Sequence, residues 1–275
     1  MEGFPSLPDV PKPLREFLGM RERDLRAEGL FVAEGRLLVE RAIASGLSVL
    51  AVVADQSAAA EARALAHGSI PAYECPKDAL DAVAGFQFHR GMLAIARRPP
   101  AARAGDQNLA LRAPAGPILV LPEITDPGNL GTLLRSCLAF GFRAAWLGER
   151  SCDPWNRKCL RSSMGAAFSL SLYEAESADL SALSRSGFAV LAAAMEENAL
   201  VSDAGGQLRA GQLGESIRDG RIALVLGNEH DGIPADWRSA CARAVRIPVS
   251  AAVDSLNVAV AGSLLMRDFS PPGLR

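Results

Sequence analysis

Cysteine and long apolar runs are scarce in this sequence, and their scarcity excludes several classes of protein. The five cysteines among 275 residues include no C-x-x-C pair, so we expect neither a disulfide framework nor a bound metal. No window reaches the ~18 uninterrupted apolar residues of a membrane span. The first residues, Met1 to Pro5, lack the basic and apolar regions of a signal peptide. These absences predict a cytoplasmic protein.

Lysine is also rare, and almost all of the basic residues are arginine. Lysine occurs only at Lys12, Lys77 and Lys158, and the net charge is −2, so the overall charge does not indicate a nucleic-acid-binding protein. Arginine does suit bidentate contacts with phosphate. An Ala- and Arg-rich composition is also what a GC-rich genome produces, and both explanations stay open.

The first part of the chain alternates between short apolar runs and helical stretches. After a Pro-rich tail over residues 1–20, this pattern predicts a small α/β domain over residues 21–98. Strands are predicted at 30–33, 49–54, 71–75 and 92–96, and helices at 36–44, 57–66 and 77–84. Residues 99–116 lack periodicity and are rich in Pro and Gly, so we assign them to an interdomain linker.

The remaining residues, 117–275, predict a second α/β domain with a parallel sheet. The apolar runs do not alternate with polar residues, as expected for strands that are covered on both faces. Strands are predicted at 118–121, 144–147, 189–194, 222–226 and 245–248, and helices at about 129–140, 177–186, 235–243 and 254–267. In a doubly wound sheet the ligand binds at the carboxyl ends of the strands, so we expect a ligand site there.

The first of three motifs, residues 129–135, follows the break at Pro127-Gly128. Asn129 is predicted to cap the helix that begins at Leu130. Thr132 and Arg135 lie outside the apolar stripe of that helix. Taken alone, these residues favour a structural interpretation, in which Asn129 is a helix cap and Arg135 is a solvated charge.

The second motif, residues 226–234, directly follows a buried strand. Gly227 and Gly232 allow the chain to turn and to approach a ligand closely. The Glu229 carboxylate suits hydrogen bonds from backbone N–H groups or sugar hydroxyls, whereas we interpret His230 as a loop residue rather than a base. A strand-to-helix turn with polar filler is the alternative.

The third motif runs from Ile247-Pro248 to Ala261 and opens the last predicted helix. Asp254 or Ser255 is the predicted start signal of this helix. Helical spacing predicts that four apolar side chains are buried: Val253, Leu256, Val260 and Leu264.

Together, and in this order, the three motifs resemble those of the SpoU/TrmH family of RNA ribose 2′-O-methyltransferases, over roughly residues 117–267. The resemblance implies a trefoil-knotted SPOUT domain, S-adenosylmethionine as cofactor, and a homodimer. It implies catalytic roles for Asn129, Arg135, Glu229, Ser255 and Asn257. It places the cofactor against Ala193, Ala194, Leu226, Gly227, Asn228, Glu229, Gly232, Ile247, Pro248 and Leu256.

Two further segments extend the resemblance to RNA binding. Residues 32–36 and 91–96 resemble the substrate-binding domain fused to many SpoU proteins, which implies that Arg36 and Arg90 contact RNA. Residues 161–165 resemble the family's Arg-x-Ser-x-Gly segment, which adds Arg161 and Ser163. Surface solubility explains each of these arginines equally well.

The expected function is therefore S-adenosylmethionine-dependent 2′-O-methylation of a ribose in structured RNA. Ribosomal RNA is the expected substrate, and transfer RNA is the next. A non-catalytic RNA-binding or ribosome-assembly protein with this fold is the alternative. A nucleotide-binding oxidoreductase is disfavoured, because no G-x-G-x-x-G follows the first strand.

Overall fold

A computed structural model describes residues 12–17, 19–84, 87–105, 116–202, 221–228, 231–253 and 255–271. The chain divides into two compact units. The first comprises the residues up to Pro100 together with Trp155–Phe168, and the second comprises Ala101–Pro154 and Ser169–Arg275.

The described residues form twelve strands and nine α-helices, numbered in chain order. The strands are β1 Leu30–Glu34, β2 Val49–Ala54, β3 Ala72–Glu74, β4 Met92–Arg97, β5 Ala102–Arg103, β6 Ile118–Leu121, β7 Ala144–Gly148, β8 Ser171–Ala175, β9 Ala189–Ala193, β10 Leu200–Val201, β11 Ile222–Val225 and β12 Arg243–Arg246. The helices are α1 Glu22–Ala27, α2 Arg36–Ala44, α3 Ala59–Ala66, α4 Lys77–Ala84, α5 Pro127–Ala139, α6 Arg157–Ser162, α7 Ser177–Arg185, α8 Ala235–Ser239 and α9 Val258–Asp268.

The first unit contains a four-stranded mixed sheet in the order β1-β4-β2-β3. β4 pairs antiparallel with β1 and β2, and β2 pairs parallel with β3. The described part of the Pro-rich tail is docked on this unit, since Leu14 and Phe17 of the 3₁₀ helix Lys12–Phe17 are buried in its core. Burying such side chains contributes ~1.5–3 kcal/mol each, which keeps this part of the tail in place.

The segment Trp155–Phe168 packs within the first unit through an aromatic cluster. The ring centroids of Phe31 and Trp155 lie 5.0 Å apart, and those of Trp155 and Phe168 lie 6.2 Å apart. The same segment contains α6, whose Arg157 donates hydrogen bonds to the backbone carbonyls of Met20 and Ala84. Aromatic burial and these two hydrogen bonds therefore hold residues from the middle of the chain against its beginning.

The second unit is built on an eight-stranded sheet in the order β10-β12-β9-β11-β6-β7-β8-β5. Every pair in this sheet is parallel. The central strands β6, β7 and β11 are buried along their whole length. The prediction of a parallel sheet with covered faces is confirmed, and the trefoil knot stays a prediction.

Several element boundaries differ from the prediction. Helix α8 ends at Ser239 instead of 243, because strand β12 already begins at Arg243. Strand β12 ends at Arg246, two residues before the predicted end at 248. Strand β8 was not predicted, since its Ser171-Leu-Tyr-Glu-Ala sequence is half exposed and contains no apolar run. Within the described part of the chain, none of the helices is both long and apolar enough to cross a membrane.

Candidate active site

A cavity of about 390 Å³ opens at the carboxyl ends of β9, β11 and β12. This volume lies within the range of about 300–1,000 Å³ that small-molecule sites occupy. The predicted site residues that line the cavity are Ala193, Ala194, Leu226, Gly227, Asn228, Gly232, Ile247, Ser255 and Leu256. The described lining residues do not include Asn129, Arg135, Pro248 or Asn257. Glu229 and His230 lie outside the described residues.

The turn after β11 requires glycine at its first position. A Cβ atom on Gly227 would lie 2.1 Å from the backbone carbon of Gly232. The backbone N–H groups of Asn228 and Gly232 each donate to the other residue's carbonyl at 3.2 Å, and the Asn228 side chain accepts from the Asp231 N–H at 2.6 Å. The turn therefore folds back tightly on itself, and this brings its backbone to the edge of the cavity.

Helix α5 presents the first motif, but its cap is not the predicted one. Asp126 is the N-cap residue, since its carboxylate accepts from the Asn129 N–H at 2.9 Å. Pro127 takes the first helical position, where its missing N–H is tolerated. The prediction that Asn129 caps the helix is wrong, because the helix begins at Pro127, three residues before Leu130. The Asn129 side chain is consequently available for a different contact.

That contact joins the first motif to the third. The Asn257 side chain donates from Nδ2 to the Asn129 Oδ1 at 3.1 Å. The Asn257 Oδ1 also accepts from the N–H groups of Ala259 and Val260, so Asn257 caps helix α9. The prediction that Ser255 starts this helix is wrong, because Ser255 lies two residues before the cap. The other predicted start signal, Asp254, lies outside the described residues. One asparagine thus fixes both the helix start and the position of the first motif.

Helices α5 and α9 pack closely behind this contact. The hydroxyl oxygens of Ser136 and Ser263 lie 2.7 Å apart. A Cβ atom on Gly262 would lie 2.5 Å from Leu133 Cδ2 and 2.6 Å from Leu226 Cδ1. Leu226 lines the cavity, so this helix pair directly supports the cavity wall.

The apolar face of α9 differs from the prediction. Val260 and Leu264 are 50% and 37% exposed, and Val253 is also exposed, so the prediction that these three side chains are buried is wrong. The buried stripe consists instead of Val258, Ala259, Gly262, Leu265 and Met266. It is shifted because the helix begins at Val258 and turns its smallest residues toward α5.

Arg135 lies on the exposed side of α5, as predicted from its position off the apolar stripe. It forms no hydrogen bond or ion pair with the residues that the structure describes. Thr132, one turn earlier, is also exposed, and its hydroxyl donates to the Gly128 carbonyl at 2.8 Å. A cationic side chain in this state can bind an incoming anion.

Two cysteines of this unit, Cys137 and Cys241, are not suited to nucleophilic chemistry. Complete burial raises the pKa of the Cys137 thiol on α5 far above its usual value. Burial also raises the pKa of Cys241 to about 11. Both thiols therefore stay protonated near pH 7. Among the described residues, no group of three or more His, Cys, Asp or Glu side chains could hold a metal ion.

A second cavity, of about 360 Å³, lies within the first unit and collects three of the predicted RNA-binding residues. Arg36, Arg90 and Arg161 line it together with Glu34. Glu34 is 2% exposed, and its carboxylate accepts from the Arg161 guanidinium at 2.7 Å. A buried carboxylate needs such a partner, and the pair fixes Arg161 at the cavity.

Ser163 does not fit the prediction of an RNA contact. It is fully buried, and its hydroxyl donates to the Leu160 carbonyl within α6. The Ser163 side chain thus faces the interior of the first unit. An Arg-x-Ser-x-Gly pattern does not indicate whether its serine is buried.

Several cavity residues were not assigned to the site from the sequence. Met195, Asp231, Ile233, Val245, Arg246 and Val249 line the cavity as well. Asp231 and Arg246 are the two charged residues in the described lining. Arg246 ends the strand β12, and its position at the carboxyl end of a buried strand was the signal that could have identified it.

Comparisons with known proteins agree with this arrangement. Residues 116–267 match the SpoU rRNA Methylase family. An uncharacterized tRNA/rRNA methyltransferase of Mycobacterium bovis is 33% identical over 266 residues, which cover 94% of this chain and 88% of that protein. The Bacillus subtilis 23S rRNA (guanosine(2553)-2′-O)-methyltransferase RlmP is 28% identical over 238 residues, with 86% of each chain covered.

Among solved structures, the SpoU methyltransferase AviRb from Streptomyces viridochromogenes, in complex with AdoMet, superimposes with a TM-score of 0.73. It shares 22% sequence identity, and the match covers 94% of this chain and 95% of that one. The whole architecture, with its mixed and parallel sheets, is thus the fold of a SpoU methyltransferase. The family match over more than half of the chain and the identity to the mycobacterial relative show that this protein belongs to the SpoU rRNA methylase family of RNA methyltransferases.

Proposed function

We propose that the protein transfers the methyl group of S-adenosylmethionine to a ribose 2′-hydroxyl of structured RNA in the cytoplasm. Ribosomal RNA is the proposed substrate, and transfer RNA is the second choice. The observation that carries this proposal is the convergence of the three motifs. The second and third motifs line one cavity, and the hydrogen bond between Asn129 and Asn257 attaches the first motif to its edge.

The cavity has the size and chemistry that S-adenosylmethionine requires. Its wall is largely apolar, through side chains such as Leu226, Ile247 and Leu256, which suits the flat adenine ring. Asn228, Asp231 and Ser255 add a few polar groups at the rim for hydroxyls. When bound, S-adenosylmethionine supplies an electrophilic methyl group on its sulfonium. The residues present therefore fit this donor.

Arg135 is proposed to act as a cation and not as the base. Neutralising an arginine side chain at pH 7 is strongly unfavourable, because the pKa of a guanidinium lies far above 7. A cationic Arg135 can instead bind the phosphate beside the target ribose and stabilise negative charge that develops on the 2′-oxygen. Its exposed position and lack of partners among the described residues suit this role.

The remaining motif residues are proposed to orient the two reactants. Asn129 and Asn257, held by their mutual hydrogen bond, would position the ribose next to the cavity. Ser255 lies in the cavity wall, and Glu229 is proposed to hold the cofactor loop. Bringing a hydroxyl to about 3 Å from the methyl carbon supplies much of the acceleration in such a transfer.

RNA is proposed to contact the first unit at Arg36, Arg90 and Arg161. These side chains line one cavity and outnumber its carboxylate, Glu34, so the site is cationic. The similarity to RlmP, which modifies 23S rRNA, supports ribosomal RNA as the substrate class.

A homodimer is proposed from the exposed face of α9. Val260 and Leu264 are four residues apart and therefore adjacent on one side of the helix. Exposed apolar side chains that form a contiguous patch mark interaction surfaces. A second copy of the chain is the partner that we propose for this face.

Two measurements test the function. Calorimetry with S-adenosylmethionine should give one site per chain, whereas a non-catalytic RNA-binding protein would give no binding. Mapping of 2′-O-methyl groups in total RNA, with and without the gene, should then show one modified position that depends on it. Binding of the donor without any lost position in RNA would contradict RNA 2′-O-methylation.

A further inference from the structure

Arg246 is a charged residue of the donor cavity to which none of the three motifs assigns a role. It is the single cationic side chain among the described lining residues, where Asp231 is the single acidic one. Arg246 ends β12, and its carbonyl accepts from the Ser202 N–H at 2.9 Å, so its backbone is fixed in the sheet. The position of the side chain at the cavity is therefore a consequence of the fold.

One nitrogen of the Arg246 guanidinium lacks a partner in the described part of the protein. Its Nε is buried and has no hydrogen-bond partner there. Buried polar groups nearly always have partners, and a charged donor without one is unfavourable. A partner supplied by a ligand would remove this penalty.

The chemistry of the donor defines which group that partner is. S-adenosylmethionine carries a positive sulfonium, a positive ammonium group and one negative carboxylate. A guanidinium repels the first two and binds the third, with the option of two parallel hydrogen bonds. We infer that Arg246 binds the methionine carboxylate of S-adenosylmethionine and so orients the amino-acid end of the donor.

This inference rests on the proposed function and makes a prediction that the function alone does not. The methylated donor and its demethylated product, S-adenosylhomocysteine, share the carboxylate, so Arg246 should favour both equally. 5′-Methylthioadenosine has the adenosine and sulfur but lacks the amino acid. Arg246 should contribute nothing to the binding of that compound.

The experiment measures the Kd of all three compounds by calorimetry for the wild type and two variants, Arg246→Met and Arg246→Lys. Arg246→Met should weaken S-adenosylmethionine and S-adenosylhomocysteine by about 10- to 100-fold, the range expected for one charge-assisted hydrogen bond. The Kd of 5′-methylthioadenosine should stay within about twofold. Arg246→Lys keeps the charge but not the paired geometry. Its Kd values for S-adenosylmethionine and S-adenosylhomocysteine should therefore lie between those of the wild type and those of Arg246→Met.

Arg243→Met serves as the matched control, since Arg243 is an exposed arginine at the start of the same strand. It should leave all three Kd values unchanged. Equal weakening of all three compounds by Arg246→Met would show a structural role and overturn the inference, as would an unchanged Kd for S-adenosylmethionine. If Arg246→Met does not fold, the ratio of the Kd values for Arg246→Lys decides in the same way. Failure of the wild type to bind S-adenosylmethionine would instead reject the proposed function.

Discussion

At the scale of single residues, Asn257 uses both ends of one amide. Its oxygen caps α9, and its nitrogen donates to Asn129. Asn257→Asp keeps the capping oxygen but loses the donor, whereas Asn257→Ala loses both. We expect Asn257→Ala to lower the free energy of unfolding by about 1 kcal/mol, the usual value of a lost cap, and Asn257→Asp to leave it nearly unchanged. Urea unfolding checks this difference.

Both Asn257 variants should nevertheless lose activity in single-turnover methylation, because neither can position Asn129. Asn156→Asp is the control for the chemistry of the substitution, since Asn156 caps α6 in the first unit and its oxygen accepts from the Lys158 N–H. An active Asn257→Asp protein would show that the contact with Asn129 has no catalytic role.

Arg135 allows a direct test of the clamp role. Arg135→Lys keeps the charge but removes the planar pair of donors, so we expect the single-turnover rate to fall by at least about tenfold. Arg135→Ala should lower it by about 10²–10³, the range for loss of one group that stabilises developing charge. Arg185→Lys, at the exposed end of α7, is the control. A near-normal rate for Arg135→Lys would reject bidentate binding of phosphate.

The sequence identified which residues belong to the site more reliably than how they are held. The glycines of the second motif were predicted because tight turns restrict residue type. Asn257 was predicted only through the resemblance, and its role as the cap of α9 was missed. Competing caps were not resolved, since Asp126 and Asn129 are both good N-cap residues and only the helix start decides between them. Arg246 was missed because the predicted strand 245–248 placed it inside the strand, whereas β12 ends at Arg246.

At the scale of elements, the contact between α5 and α9 depends on Gly262. An added methyl group there would overlap with Leu133 and Leu226, which are both buried. We expect Gly262→Ala to destabilise the protein by about 1–3 kcal/mol, as overpacking of a core does. Because Leu226 is displaced from the cavity wall, the affinity for S-adenosylmethionine should fall as well.

A double-mutant cycle with Leu133→Val gives the control for this prediction. Valine is one carbon shorter and makes room for the new methyl group, so the double variant should be more stable than the sum of the two single effects. Thermal unfolding and calorimetry measure both quantities. Additive effects would show that the two helices relax apart without strain.

Some elements were predicted with their bounds. The strands β2 and β6 and the helices α2 and α4 have the predicted bounds, because their apolar patterns are strong. Strand β8 was missed because a largely half-exposed strand resembles a loop when apolar runs are the signal. The place of Trp155–Phe168 in the first unit depends on tertiary contacts with Phe31, which no local pattern contains.

At the scale of the whole molecule, the exposed apolar face of α9 predicts the oligomeric state. We expect Val260→Asp combined with Leu264→Asp to convert a dimer into a monomer, since two buried charges in an interface without partners are strongly unfavourable. Sedimentation equilibrium measures this change. Val201→Asp, at an apolar residue of similar exposure on β10, should leave the dimer intact. A wild-type monomer would contradict the proposed use of this face.

The division into two units predicts that RNA binding and donor binding can be separated. Arg90 lines the cationic cavity of the first unit and forms no ion pair with the described residues, whereas Arg36 pairs with Glu61 and Arg161 with Glu34. Loss of one phosphate contact reduces the salt dependence of RNA binding by about 0.7–0.9 in log K against log salt. Arg90→Ala should therefore weaken binding of purified 23S rRNA with a slope lower by about that amount. The Kd of S-adenosylmethionine should stay unchanged in Arg90→Ala.

Arg23→Ala is the control, because the exposed Arg23 side chain lies outside the cavity. It should change neither the slope of RNA binding nor the Kd of S-adenosylmethionine. An unchanged slope in Arg90→Ala would mean that RNA reaches the active site without using this cavity.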